Sequence, residues 1–320
     1  MIQMVLVGLG AGAASAVLFA SIASGSLLSI LLFYLAPLPI MIAAMGWSHW
    51  SALIAATVAG LGLAATFNSI FFFLAFLIGV GLPAWWLGYL ALLARADENG
   101  EIEWYPTGRI VLWCAAIAAG MVIIAIPNFG LDEEQFRAGL RSAFERVLQE
   151  QGRNAASTPL DVNSDSTKRM IDFLVTVMPL AAAVLATVTN TMNLYLAGRV
   201  VKVSNRLRRP WPDLSQIRFP ATAHAVFAAA LVASFLPGLI GSIGGVIAAA
   251  LMMAYALLGL AVMHAITRGT GGRTLILTGT YLSVFLIGWP IIILTLLGVA
   301  DAIFDFRNRV GAGKPPALTQ

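Results

Sequence analysis

The stretch GLGAGAASAVLFASIASGSLLSILLFYL (residues 8–35) carries no formally charged side chain. It lies within a longer charge-free run, because the first Asp, Glu, Lys or Arg of the chain is Arg95. A run of that length cannot present a surface to water, since about a quarter of the residues in soluble domains are charged. In a bilayer it fits as several spans of about 20 residues each. The stretch therefore predicts a polytopic membrane protein built from helices.

The composition of the whole chain agrees with this prediction. Its 320 residues have a mean hydropathy of +0.87, and 11% of them are charged. The strict alternation of apolar and polar residues that is typical of membrane β-barrels is missing. We therefore expect an all-α transmembrane bundle of about 8–9 spans with one amphipathic helix outside the membrane.

Glycine, proline and polar clusters divide the apolar sequence into nine predicted spans. Their approximate bounds are 3–23, 27–45, 50–67, 69–94, 110–126, 170–198, 221–237, 242–267 and 274–300. We interpret residues 1–320 as a single membrane domain, in which residues 1–94 form the charge-free helices.

Residues 128–169 form a polar insertion between the fifth and sixth spans. Within it, phenylalanine and leucine alternate at every fourth position from Phe136 to Leu148, which predicts an amphipathic helix at 131–150. Opposite charges four residues apart, such as Arg141 and Glu145, predict ion pairs along the surface of this helix.

The loop 199–220 is the most basic segment, with six Lys or Arg side chains against one Asp. The positive-inside rule places such a loop in the cytoplasm. Counting spans from it puts the N-terminus in the cytoplasm and the insertion outside. Nine spans would place the tail, residues 301–320, outside as well, although its basic residues outnumber its acids. Two alternatives stay open: the ninth span folds back at GWP (288–290), or the acidic residues let the tail cross.

The start of the tail, DAIFDFRNR, spaces Asp301, Asp305 and Arg309 one helical turn apart. This spacing predicts a ladder of ion pairs at a helix end.

The sequence contains no recognisable pattern of catalytic or metal-binding residues. His49, His224 and His264 are scattered and lack metal-ligand spacing. Neither HExxH nor GxSxG occurs, and GTGGRT (269–274) lacks the lysine of a phosphate-binding loop. We therefore expect no enzyme activity, no catalytic residue, no metal and no cofactor. The net charge of +4 is concentrated at span ends, so we also expect no nucleic-acid partner.

The sixth predicted span holds the densest polar group within hydrocarbon. Thr187 and Asn190 share one helix face, and Asn193 stands beside it. A side-chain amide in a membrane must find a hydrogen-bond partner. Two interpretations stay open: these residues join neighbouring helices, or they face a substrate.

Pro37 and Pro39 interrupt the second predicted span. Prolines in a span free backbone carbonyls, which neighbouring side chains, water or a ligand must then satisfy. Broken helices often mark the substrate sites of transporters. We therefore count both prolines with the candidate substrate-binding residues, beside the simpler interpretation of a kink.

Small residues recur at every fourth position of the first predicted span: Gly8, Gly12, Ala16, Ala20 and Ser24. Such a stripe lets another helix approach closely. A lipid-facing helix would gain nothing from glycines, which cost about 1 kcal/mol each relative to alanine in water. We therefore expect the stripe to face protein, which is either the rest of this bundle or a transmembrane partner that docks on the first helix.

Four motifs occur in order along the chain: YLAPLP (34–39), GLPAWWLGYL (81–90), NTMNLYLAGRV (190–200) and DAIFDFRNR (301–309). Together they resemble the YybS-like family of predicted bacterial membrane proteins. That family is distantly similar to the membrane-embedded substrate-binding subunits of energy-coupling-factor transporters. The resemblance implies a protein of the bacterial inner membrane whose first helix docks a coupling protein. The chain departs from those subunits in its larger number of spans and in its polar insertion.

Two functions are compatible with these observations. The first is a component of a small-molecule transporter that depends on a partner for energy, as the broken second span and the polar sixth span indicate. The second is a scaffold or regulator of envelope or membrane-associated assemblies that does not transport. The basic loop and the amphipathic helix would then serve as docking surfaces.

Overall fold

The computed structural model describes residues 1–96, 98–154 and 164–307. Within these ranges every secondary-structure element is a helix apart from one short hairpin, so the prediction of an all-α fold is confirmed. The elements are α1 (Ile2–Ala20), α2 (Leu27–Tyr34), α3 (Pro37–Gly46), α4 (His49–Phe67), α5 (Ile70–Phe76), α6 (Leu82–Ala91), β1 (Ala94–Ala96), β2 (Ile102–Trp104), α7 (Thr107–Ala125), α8 (Glu133–Asn154), α9 (Asp165–Val203), α10 (Ala221–Ala233), α11 (Gly238–Ile266), α12 (Arg273–Ile287) and α13 (Pro290–Phe304).

Seven helical segments in the described part of the chain are long and apolar enough to cross a membrane. They are Ile2–Ser24, Leu27–Gly46, His49–Phe67, Ile70–Ala91, Thr107–Asn128, Asp165–Val203 and Gly238–Ile266. The other two predicted spans correspond to the shorter apolar helices α10, α12 and α13. A 15-residue helix is about 22 Å long, which is less than the roughly 30 Å of a hydrocarbon core.

Proline breaks two of the long segments close to the predicted places. The second span ends its first helix at Tyr34 and begins its second at Pro37. In the fourth span a π-helical turn, Leu77–Gly81, precedes Pro83. One turn of that kind accommodates a residue that cannot donate to the regular hydrogen-bond ladder.

The chain divides into two compact units. The first comprises residues 1–114, 187–220 and 254 onward, and the second comprises 115–186 and 221–253. In the first unit α1 packs along α4, and α3 packs against α1, α4 and α6. The buried residues of α3 and α4 include many alanines, which allow helices to approach closely in lipid: Ala43, Ala44, Ala52, Ala55, Ala56 and Ala59.

In the second unit the predicted amphipathic helix is observed as α8. Its face at Phe136 and Leu140 packs on Ile126, Ile171 and Val175. The ion pair predicted along the helix between Arg141 and the glutamate four residues later is wrong, because Arg141 pairs with Asp172 of α9. A pair four residues apart on an exposed helix face contributes only about 0.3–0.5 kcal/mol, so an aspartate on the neighbouring helix can replace it as the partner.

The start of α12 and the end of α13 lie beside the same loop, residues 213–215. Gly288, in a left-handed conformation with φ +80°, separates α12 from α13. Arg268, just before α12, pairs with Asp213 (2.8 Å), and Arg307, just after α13, donates to the carbonyl of Ser215 (2.6 Å). Residues 213–215 span at most about 7 Å of chain. If α12 and α13 together crossed the membrane, the start of α12 and the end of α13 would lie roughly 30 Å apart. This geometry therefore favours the alternative in which the chain folds back at GWP.

We therefore expect cysteines at Thr270 and Phe306 to be accessible from the same side of the membrane as a cysteine at Ser204. Each would be introduced with Cys114→Ala and labelled by an impermeant maleimide in right-side-out and inverted vesicles. Labelling of position 306 from the side opposite to position 204 would show that the last helix pair crosses the membrane.

Candidate functional site

Near the break in the second span, backbone carbonyls accept hydrogen bonds from side chains of α9 and α1. Leu38 N–H donates to Leu35 O (3.0 Å), so Tyr34 O lacks its helical donor. The Asn193 side-chain amide donates to Tyr34 O at 2.8 Å, and the Ser15 hydroxyl donates to Ala36 O at 2.5 Å. The structure thus places Asn193 beside the break that precedes Pro37, because a polar side chain in hydrocarbon needs a hydrogen-bond partner and the carbonyl of Tyr34 needs a donor. No contact joins Pro37 or Pro39 to the other predicted site residues among the hydrogen bonds of the described chain.

The remaining polar residues of this predicted site are buried on the same helix. Asn190 lies one turn before and donates to Cys114 O at 3.4 Å, while Thr187 is fully buried. The Asn193 side-chain oxygen is buried and accepts no hydrogen bond. The observed contacts are those of residues that join helices, and substrate binding by these residues stays a prediction.

The glycines of the small-residue stripe are covered by α4 of the same chain. A Cβ atom on Gly8 would lie 2.7 Å from Ile54 Cγ2, and one on Gly12 would lie 2.7 Å from Ala55 O. Further along α1, Ala16 and Ala20 are half-buried, and beyond its end Ser24 is exposed. Docking of a partner protein by this stripe stays a prediction.

Aromatic rings hold several cations of the basic loop. Arg199 and Lys202 lie over the ring of Trp211, at 5.6 and 5.1 Å from its centroid, and Arg206 lies 4.5 Å from the centroid of Trp47. Such cation–π contacts contribute about 0.5–1 kcal/mol each at exposed sites. They fix the direction of the side chains while leaving the charges at the surface.

Hydrogen bonds anchor the same loop to neighbouring segments. Arg209 donates to Ala91 O (3.2 Å) and to the Thr107 hydroxyl (3.0 Å), and partial burial lowers the pKa of its guanidinium. Hydrogen bonds from Arg268 and Ser215 hold the pKa of the Asp213 carboxyl at about 2. Because this pKa is lowered, the stabilisation is complete above the unfolded value of about 3.9 and is lost only as the pH falls through about 2.

A buried ion pair at the end of α13 was missed by the sequence. The helix ends at Phe304, and Asp305 adopts a left-handed conformation, so Asp305 does not follow Asp301 on the same helix as the predicted ladder requires. Arg309 itself lies outside the described residues. Asp301 instead pairs with Arg307 at 2.7 Å, and the exposed fractions of the two side chains are 1% and 9%. An aspartate that follows an apolar run was the signal that could have revealed it.

A cavity of about 440 Å³ lies within the second unit. Its walls are formed by α8, the first half of α9, the end of α10 and the first half of α11. The apolar lining includes Pro179, Leu180, Leu231, Gly241, Gly245, Ala248, Ala249 and Met252. Two charged side chains, Glu133 and Arg137 of α8, also line it. Sequence reasoning missed this site because its walls come from four separate elements.

The cavity has the size and character of a small-molecule site. Ligand pockets have volumes of about 300–1,000 Å³, mostly apolar walls and a few oriented polar groups. Within the described residues no group of three or more His, Cys, Asp or Glu side chains is placed to hold a metal ion.

Comparison with known proteins adds a family but no function. Residues 13–302 match a family model described as a predicted membrane protein, DUF2232. No curated protein and no solved structure matches the chain.

Proposed function

Since the chain belongs to the DUF2232 family of predicted membrane proteins, we propose that it is a component of a small-molecule transporter in the bacterial inner membrane. It has no enzyme activity of its own and takes energy from a partner protein. The cavity of about 440 Å³ in the second unit is the observation that carries this proposal. A protein that served only to join other proteins would not need an apolar cavity that two charged side chains also line.

The similarity of the sequence motifs to YybS-like proteins, and through them to energy-coupling-factor subunits, supports the same proposal. In this proposal the basic loop 199–220 and the N-terminus face the cytoplasm, as the positive-inside rule requires. Because α4 covers Gly8 and Gly12 of the predicted docking stripe, the partner in this proposal docks on exposed apolar residues of α1, such as Val5, Leu6 and Leu9.

The basic loop supports the second candidate function, a scaffold for membrane-associated assemblies. Arg199, Lys202, Arg206 and Arg208 are exposed, and an acidic partner could bind them. The two functions differ in whether the cavity is occupied by a small molecule.

The proposal is tested by extracting the protein with its native lipids and identifying bound small molecules by mass spectrometry. A leucine at Gly245 would project into the cavity, because a Cβ there has no atom nearer than 3.9 Å. We expect Gly245→Leu to lose the bound molecule at unchanged thermal stability. Gly120→Leu, at a helical glycine of the same unit with open space around it, should retain the molecule.

The variant Asn190→Leu tests whether the small molecule binds in the cavity or at the polar group formed by Asn190 and Asn193. We expect this variant to retain the small molecule and to lose about 0.6 kcal/mol of stability, the average for polar contacts between membrane helices. Loss of the molecule from Asn190→Leu alone would move the site from the cavity to the polar group at Asn190 and Asn193. A wild-type protein without any bound small molecule would contradict the transport function and favour the scaffold.

A further inference from the structure

We infer that the cavity of the second unit binds an amphiphile with one anionic head group, a carboxylate or a phosphate, which Arg137 holds. Its apolar chain lies along the glycine and alanine face of α11. This inference rests on the proposed function and specifies the class of molecule.

The wall on α11 suits an unbranched apolar chain. Gly241, Gly245, Ala248 and Met252 recur at three- or four-residue spacing, so they form one stripe on the helix. Gly245 leaves room beside the backbone, because a Cβ there would meet no atom nearer than 3.9 Å, whereas the carbonyl oxygen of Leu236 occupies that place at Gly241. Methionine adapts its shape to a flexible occupant. Leu180 adds apolar surface beside Gly245, since its Cδ1 would lie 3.9 Å from a Cβ at that glycine.

The charges of the cavity lie on α8. Glu133 accepts a hydrogen bond from the backbone N–H of Gly238 at 2.8 Å, where α11 begins. An acidic side chain at that position is satisfied by the helix end. Its carboxylate therefore already has a partner in the backbone of Gly238.

Arg137 is the group available to a ligand anion. Its guanidinium donates to the neutral hydroxyl of Thr176 at 3.2 Å, and that hydroxyl donates to Asp172 O. None of the ion pairs found among residues 1–96, 98–154 and 164–307 includes Arg137. A guanidinium has five N–H donors, so it can bind a carboxylate or phosphate by two hydrogen bonds and keep Thr176.

The position of Arg137 is set by the packing of α8. One turn later, Arg141 pairs with Asp172, and Phe136 is buried against α9. These contacts hold the charged end of the cavity in place without using Arg137. A ligand head group therefore meets a preorganised cation, and less freedom is lost on binding.

The test uses dodecanoate with a diazirine in its chain, photolysed with the full-length protein in nanodiscs of neutral lipid. We expect labelling within residues 241–252. Unlabelled dodecanoate or dodecyl phosphate should compete, and dodecanol should compete at least about tenfold less well. Arg137→Gln should remove this preference, while Arg146→Gln, a control on the same helix whose guanidinium donates to Ser142 O, should keep it.

The outcomes separate this inference from the proposed function. Equal competition by dodecanol and dodecanoate, unchanged in Arg137→Gln, would overturn the anionic head group while leaving a small-molecule site in the cavity. Labelling that persists in Gly245→Leu would overturn the cavity as the site of the chain. No saturable labelling, together with no bound molecule in the native protein, would contradict both. Stronger competition by dodecyl phosphate than by dodecanoate would support this inference and assign the head group as a phosphate.

Discussion

Arg307→Leu is expected to destabilise the protein by about 3–5 kcal/mol, the usual cost of removing one partner of a buried ion pair. The Asp301 side chain is 1% exposed and would keep a negative charge without its cation. Arg307 also donates to Ser215 O (2.6 Å) and Ile217 O (2.7 Å), so two carbonyls of the loop would lose a donor. The end of α13 should then detach from the loop 213–218.

Thermal unfolding in detergent, with loss of the monodisperse peak on size exclusion, measures this effect. Arg218→Gln is the matched control, because Arg218 pairs with Asp305 at 3.2 Å while both side chains are largely exposed. We expect the control to lose less than about 1 kcal/mol. Removing both charges of the buried pair, with Asp301→Leu and Arg307→Leu together, should recover part of the loss. Equal stability of Arg307→Leu and Arg218→Gln would show that the buried pair does not hold the end of α13 on the loop 213–218.

Gly12→Leu is expected to prevent close packing of α1 on α4 and to cost at least about 1–3 kcal/mol, as overpacking of a close-packed core does. A Cβ at this position would lie 2.7 Å from Ala55 O and 2.9 Å from Val58 Cβ. A backbone carbonyl in a helix cannot move aside without shifting the helix, so α1 as a whole must separate from α4.

Gly10→Leu is the control on the same helix, because a Cβ at Gly10 would meet no atom within 4 Å. Both variants exchange a glycine for the same side chain, so their helix propensities change equally. The yield of folded protein and its midpoint of thermal unfolding should fall for Gly12→Leu and stay near the wild-type values for Gly10→Leu. Similar behaviour of the two variants would mean that α4 is not what the stripe packs against.

The sequence was sufficient for the features that depend on local chemistry. Absence of charge before Arg95 predicts membrane helices, because an apolar helix satisfies its own backbone in lipid. Pro37 predicts the break in the second span, since proline removes a donor wherever it stands. The four-residue repeat from Phe136 to Leu148 predicts the amphipathic helix α8.

Only the tertiary structure identifies hydrogen-bond and ion-pair partners that are distant in the sequence. From the sequence, Asn193 must have an acceptor, but any carbonyl of a neighbouring helix would serve, and the fold supplies Tyr34 O. The sequence spacing predicted that Asp301 belongs to a helical ladder of ion pairs. In the structure the left-handed Asp305 ends the helix, and the chain turns so that Arg307 donates a hydrogen bond to Asp301. The cavity beside Arg137 exists only when four elements meet, and a void leaves no pattern in sequence. Periodicity specifies which face of a helix is apolar, whereas packing decides which atoms that face meets and where space remains.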